Sequence, residues 1–124
     1  MKTNLAGAMM SVRALCGLVR PDGAVAVMSS GLASISGNVA GGWEPYRSSK
    51  AALNQSLRSF AAECVDARFS LTAVAPGRVR TDMGGADAPL DVETSTGGIA
   101  DMLEGRLGAR GLTFQNYTGE TLNW

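Results

Sequence analysis

A tyrosine and a lysine one helical turn apart can handle a proton together. The chain has only two residues of each type, and Tyr46 and Lys50 stand four positions apart at the start of a segment with helical periodicity. That spacing puts both side chains on one helix face. A cation there favours the phenolate over the phenol, whose unperturbed pKa is about 10. A phenol so tuned can exchange a proton with a carbonyl or carbinol oxygen near neutral pH. Taken alone, Tyr-x-x-x-Lys is a weak motif that equally describes a solvated surface pair. What raises it is Ser29-Ser30, which follows the apolar run Ala24-Val-Ala-Val-Met28. A serine hydroxyl at the carboxyl end of a parallel strand lies where ligands bind in open sheets, and it can both donate and accept a hydrogen bond. Without Tyr46 and Lys50, the same serines would be an ordinary polar strand end.

The elements that must position these residues follow from periodicity. Residues 3–19 place Leu5, Ala8, Met9, Val12, Leu15, Cys16 and Val19 at three- and four-residue steps, which predicts an amphipathic helix. Pro21-Asp22-Gly23 ends it. The run at 24–28 is continuously apolar and predicts a strand buried on both faces. Residues 29–45, rich in Gly, Ser and Asn, read as a long loop. A second helix is expected over 46–67, with Leu53, Leu57, Phe60, Ala61 and Cys64 inward, and a strand over 69–75, ended by Pro76-Gly77. A third helix is expected over 93–107, with Ile99, Met102, Leu103 and Leu107 inward, then a strand over 112–115. Alternating helices and strands predict a parallel α/β sheet.

Bulk properties narrow the chemistry. With 124 residues the chain forms one domain at most, and its formal charge of zero gives no electrostatic case for nucleic acid or an anionic membrane. It has no histidine, which excludes Ser-His and Cys-His hydrolase chemistry and most zinc sites. No metal site is expected. Cys16 and Cys64 lack metal or redox spacing and read as buried thiols of a reducing compartment. Lys2 and the apolar residues after it resemble a signal peptide only briefly, because Arg13 interrupts them. The expected location is cytoplasmic.

The ordered pattern resembles the short-chain dehydrogenase/reductase family: a strand, Ser29-Ser30, the loop Gly37-Asn-Val-Ala-Gly-Gly42, then Tyr46-Arg-Ser-Ser-Lys50, Pro76-Gly-Arg-Val-Arg-Thr81 and Asp82-Met-Gly-Gly85. Ala88-Pro-Leu-Asp91 and the terminal Gly119…Trp124 narrow it to the carbonyl-reductase branch typified by sniffer and the C-factor-like proteins. The resemblance implies that Tyr46 is the general acid and that Lys50 holds the nicotinamide ribose. It implies that Ser30 orients the substrate oxygen, with Ser29 and Ser34 as the alternatives, and that Asn4 belongs to the proton relay. Pro76, Gly77, Val79 and Thr81 would contact the nicotinamide together with Tyr46 and Lys50, and residues 83–91 would form a mobile flap over the substrate. Pro76-Gly77 also fits an ordinary strand-ending turn. The implied cofactor is NADP (or NAD), and the implied substrate is a small carbonyl or alcohol.

One family feature is missing. The Thr-Gly-x-x-x-Gly-x-Gly turn that presents backbone amides to a pyrophosphate has no counterpart in this sequence. Residues 1–124 therefore correspond to a single partial Rossmann-type domain: the C-terminal half of a doubly wound parallel sheet, without the N-terminal dinucleotide-binding βαβ half. Its first strand would then present an unpaired apolar edge. A homodimer or homotetramer through helices 3–19 and 46–67, or a partner supplying the lost half, is expected. The competing reading is a non-catalytic fragment acting as an oligomerisation or partner-binding module. A serine–lysine hydrolase is excluded, because Arg47 stands three before Lys50 and no Gly-x-Ser-x-Gly elbow is present.

Overall fold

A computed structural model describes residues 2–124. Three strands, β1 (Ala24–Met28), β2 (Ser70–Ala75) and β3 (Gly111–Asn116), form a parallel sheet in the order β1-β2-β3. Val27 pairs with Ala73, and Ala73 with Phe114. All six residues of β2 are buried, as a strand flanked on both edges and both faces requires. In β1 only Val27 is buried, and Met28 is 49% exposed, so burial on both faces does not hold for this strand. The reason is its edge position, with β2 as its only neighbour among the described residues.

The first helical segment is not one α-helix over 3–19. It opens with π-helical turns over Lys2–Gly7, continues as α1 (Ala8–Leu15) and tightens to a 3₁₀ turn at Cys16–Leu18. A tightened last turn satisfies carbonyls that a helix end leaves free. Pro21, which has no N–H to donate, follows closely.

The second helix, α2 (Glu44–Glu63), starts two residues earlier than expected and ends four residues earlier. Trp43 takes the left-handed conformation just before it (φ 55°), and Pro45 occupies the first turn, where a missing N–H costs nothing. Beyond Glu63 the chain turns, with Ala67 N–H donating to Cys64 O. Leu53, Leu57 and Phe60 lie inward as expected and join Met9, Val12, Val27, Leu71, Ala73 and Phe114 in one cluster. Each such side chain contributes about 1.5–3 kcal/mol on burial. The alternate β2 residues Ser70, Thr72 and Val74 are fully buried on the other sheet face, which α3 (Val92–Glu104) crosses. There Thr72 and Thr113 hydroxyls meet at 3.3 Å. Asp91 caps α3, its Oδ1 accepting from Thr94 N–H at 2.7 Å. The helix ends at Glu104, so Leu107, expected inward on it, lies beyond and is 59% exposed.

Candidate active site

Lys50, on the first turns of α2, meets the carboxyl end of β1, which runs on into Ser29 and Ser30. Lys50 Nζ donates to Met28 O at 2.8 Å and lies 6.0 Å from the centre of the Tyr46 ring. This single bond ties the helix face that carries the phenol to the strand end that carries the serines. Burial holds the Lys50 ammonium below the usual lysine range, because a charged amine loses hydration there. One of its three donors is used by Met28 O, which leaves two for a ligand. Tyr46 is half-buried.

The three candidate serines differ. Ser29 is buried, and its Oγ donates to Asn54 Oδ1 at 2.6 Å. Ser34 is also buried, and its Oγ accepts from Gly37 N–H at 3.0 Å. Ser30 is half-buried and caps the 3₁₀ turn Gly31–Ala33, accepting from Leu32 N–H at 3.2 Å. Asn4 does not reach Lys50. Its Nδ2 donates to Ser49 Oγ at 3.2 Å, and Ser49 Oγ donates to Tyr46 O at 2.8 Å. Asn4 therefore touches the site through the backbone of the tyrosine.

At the end of β2, Pro76 O accepts from the buried Ser95 Oγ at 2.7 Å. Gly77 has φ +82°, and a Cβ there would lie 2.5 Å from Leu90 Cδ1 and 3.4 Å from the Tyr117 ring. The space that glycine leaves on its Cβ side is thus filled by Leu90 and Tyr117. Val79 pairs with Leu90, and the Thr81 hydroxyl is engaged in its own turn, donating to Val79 O and accepting from Gly84 N–H. The segment 83–91 is anchored at its base. Arg80 donates to Ala88 O at 3.1 Å and pairs with Asp91 at 3.4 Å, Ala88 is buried, and Met83 projects 81% exposed.

Sequence reasoning missed four contributors: Arg47, Ser49, Asn54 and Ser95. Arg47 Nε holds Gly42 O at 2.9 Å and so ties the Gly-rich loop to α2. Asn54 had a readable signal, a polar residue between Leu53 and Leu57 on the inward stripe. Ser49 and Ser95 had none beyond their helical register. Two clefts, of about 220 and 230 Å³, lie away from Tyr46 and Lys50, one against Phe60, Cys64 and Phe69 and the other against Ile35, Arg58 and Trp124. The site is an open shelf at the sheet rim.

The family model described as Enoyl-(Acyl carrier protein) reductase matches residues 1–102. C-signal of Myxococcus xanthus is 36% identical over 100 residues, covering 81% of this chain. The chain belongs to the short-chain dehydrogenase/reductase family. Solved structures agree. The carbonyl reductase Sniffer of D. melanogaster superposes with a TM-score of 0.85 at 38% identity over 99% of this chain. A carbonyl reductase from Pseudomonas aeruginosa PAO1, in complex with NADP, does so with a TM-score of 0.89 at 40% identity, again over 99%. A Burkholderia multivorans protein with bound NADP gives 0.94 at 45% over 98%. This short-chain dehydrogenase/reductase chain spans 60% of the C-signal and 53–55% of those three solved chains. Its three-stranded parallel sheet is the corresponding part of their Rossmann-type fold.

Proposed function

We propose that the chain carries the substrate half of an NADP- or NAD-dependent carbonyl reductase, with Tyr46 as proton donor. The supporting observation is the Lys50–Met28 bond, which sets the ammonium beside the Tyr46 ring at the sheet rim. When bound, a nicotinamide cofactor supplies hydride chemistry. Lys50, with two donors to spare, would hold the ribose hydroxyls, and Tyr46 with residues Pro76, Gly77, Val79 and Thr81 would flank the nicotinamide. Ser30 would donate to the substrate oxygen and so orient it. Tyr46 would pass its hydroxyl proton to the same oxygen as negative charge develops there, and the ammonium would stabilise the phenolate left behind. Asn4, through Ser49, would keep the first turn of α2 in place. The substrate is a small ketone, aldehyde or quinone, or the corresponding alcohol in reverse.

The test is fluorescence titration of the purified chain with NADPH. Saturable binding that weakens in Lys50→Ala supports the reading, and a Tyr46→Phe variant should bind almost as well as the parent. Absence of binding by the parent chain refutes cofactor use by this length of chain.

A second reading, a partner-binding module, is favoured by the unpaired outer edge of β1 and by the chain's half-length relative to its solved relatives. Its natural surfaces are the segments Lys2–Leu18 and Glu44–Glu63, which form one face of the molecule and expose Met10, Leu15 and Leu18. Self-association there gives a homodimer or homotetramer, and a monomer in sedimentation at micromolar concentration would refute it. The unpaired thiols Cys16 and Cys64 suit a cytoplasmic location. Among the described residues, no helix is long and apolar enough to cross a membrane.

A further inference from the structure

We infer that Asn54 is a positioning residue for this site, holding the strand end that carries Ser30 in register with the helix face that carries Tyr46 and Lys50. The inference rests on the reductase reading for its link to turnover.

Asn54 follows Lys50 by one helical turn and Tyr46 by two, so the three share a stripe along α2. Two successive residues of the strand end meet that stripe. Met28 O accepts from Lys50 Nζ at 2.8 Å, and Ser29 Oγ donates to Asn54 Oδ1 at 2.6 Å. Ser30 is next in the chain. The two ties differ in how easily they are broken. The first ends on the half-buried Lys50 ammonium, which water and ligands also reach and can pull away from Met28 O. The second joins two residues that are each only 4% exposed, Asn54 lying at the floor of the cleft beside Ile35 and Trp124, so it is far better shielded than the first. When Lys50 is engaged elsewhere, the Ser29–Asn54 bond is the side-chain tie that keeps the strand end from sliding along the helix.

This arrangement is not what packing alone would favour. Asn54 Nδ2 is buried without a hydrogen-bond partner among the described residues, a destabilising condition. Its neighbours on the inward stripe, Leu53 and Leu57, are fully buried and apolar. Leucine at 54 would leave no donor unpaired there. The amide brings directionality: a bond at 2.6 Å fixes both translation and rotation, whereas apolar contact tolerates slippage.

The test compares the full 124-residue chain with its Ser29→Ala/Asn54→Leu double variant, both carrying 3-fluorotyrosine. Removing both polar partners together avoids stranding one of them, so the variant should melt at or above the parent temperature. The fluorine resonance of Tyr46 should shift or broaden, while that of Tyr117, packed against Gly77 and Gly98, stays in place. NADPH-dependent reduction of a small aldehyde should fall in kcat by roughly a hundredfold, the effect of misplacement on the order of an ångström, with KM changed far less. An unmoved Tyr46 resonance would overturn the inference. So would a lowered melting temperature with both resonances moving together, because that marks a merely structural bond. A parent chain without turnover, combined with a selective Tyr46 shift, would remove the reductase reading and leave the positioning role supported.

Discussion

Replacing Gly77 by alanine probes the turn that ends β2 and underlies the candidate site. The residue sits at φ +82°, where a Cβ meets its own backbone, at a cost of about 1–2 kcal/mol. The new methyl would also lie 2.5 Å from Leu90 Cδ1, with the Tyr117 ring at 3.4 Å behind it. Overpacking of this kind costs roughly 1–3 kcal/mol. Together the two give a loss of about 2–5 kcal/mol. At an unfolding entropy of about 2.1 cal/mol/K per residue, a chain of this length loses roughly 4 °C of Tm per kcal/mol. Gly77→Ala should therefore lower Tm by roughly 8–20 °C in calorimetry. The steric part depends on Leu90 and the backbone part does not. Adding Leu90→Ala should recover about 1–2 kcal/mol relative to additivity in a double-mutant cycle. A Gly77→Ala Tm within about 2 °C of the parent, or strict additivity with Leu90→Ala, would refute the reasoning.

Further expectations concern α3, α2 and the core. Asp91 has its carboxyl held below the usual value by the backbone hydrogen bond from Thr94, the capping contact, with a smaller contribution from Arg80. A depressed folded pKa gives stability that is complete above the unfolded value of 3.8 and is lost as pH falls through the lower folded value. Asp91→Asn should flatten that acid limb in urea titrations at a series of pH values. Lys50 has a depressed pKa from burial, so the unfolded chain binds more protons than the folded one between the folded value and 10.5. Stability should therefore rise with pH through that window, and Lys50→Met should abolish the rise. Leu57→Ala should cost about 2–5 kcal/mol in denaturant titration, since it empties a fully buried position against the sheet.

The alternation of helices and strands and the inward stripe of α2 were legible because each rests on a strong pattern. Leu53, Leu57 and Phe60 repeat at helical spacing, and the short, largely apolar run 69–75 ended by Pro76-Gly77 reads as a buried strand. Less legible were features set by long-range context. The sequence of β1 is at least as apolar as that of β2, yet among the described residues β1 is an edge, with β2 as its one neighbour. Helix ends also escaped. Pro45 reads as a breaker before Tyr46, although a proline fits the first turn and α2 starts at Glu44. In the first helix, periodicity alone cannot distinguish a π-helical turn from an α-helical one, so the widening over Lys2–Gly7 was invisible.

At the candidate site, the Tyr46–Lys50 pairing was readable from spacing, and Lys50 bonds to the end of β1. The partners that fix them were not readable. Asn54 and Ser29 are 25 residues apart in sequence and meet only in the fold. The bond from Asn4 to Ser49, 45 residues away, likewise has no local signal. The packing of Leu90 and Tyr117 against Gly77 was also unreadable, since both lie far along the chain from it.

The most direct measurement is the loss of NADPH absorbance with a small aldehyde, for the parent chain and for Tyr46→Phe, whose ring is unchanged apart from the hydroxyl. The account predicts steady consumption by the parent and a loss of at least about a hundredfold in kcat for Tyr46→Phe, the size expected when a general acid is removed. Equal rates in the two proteins would contradict it.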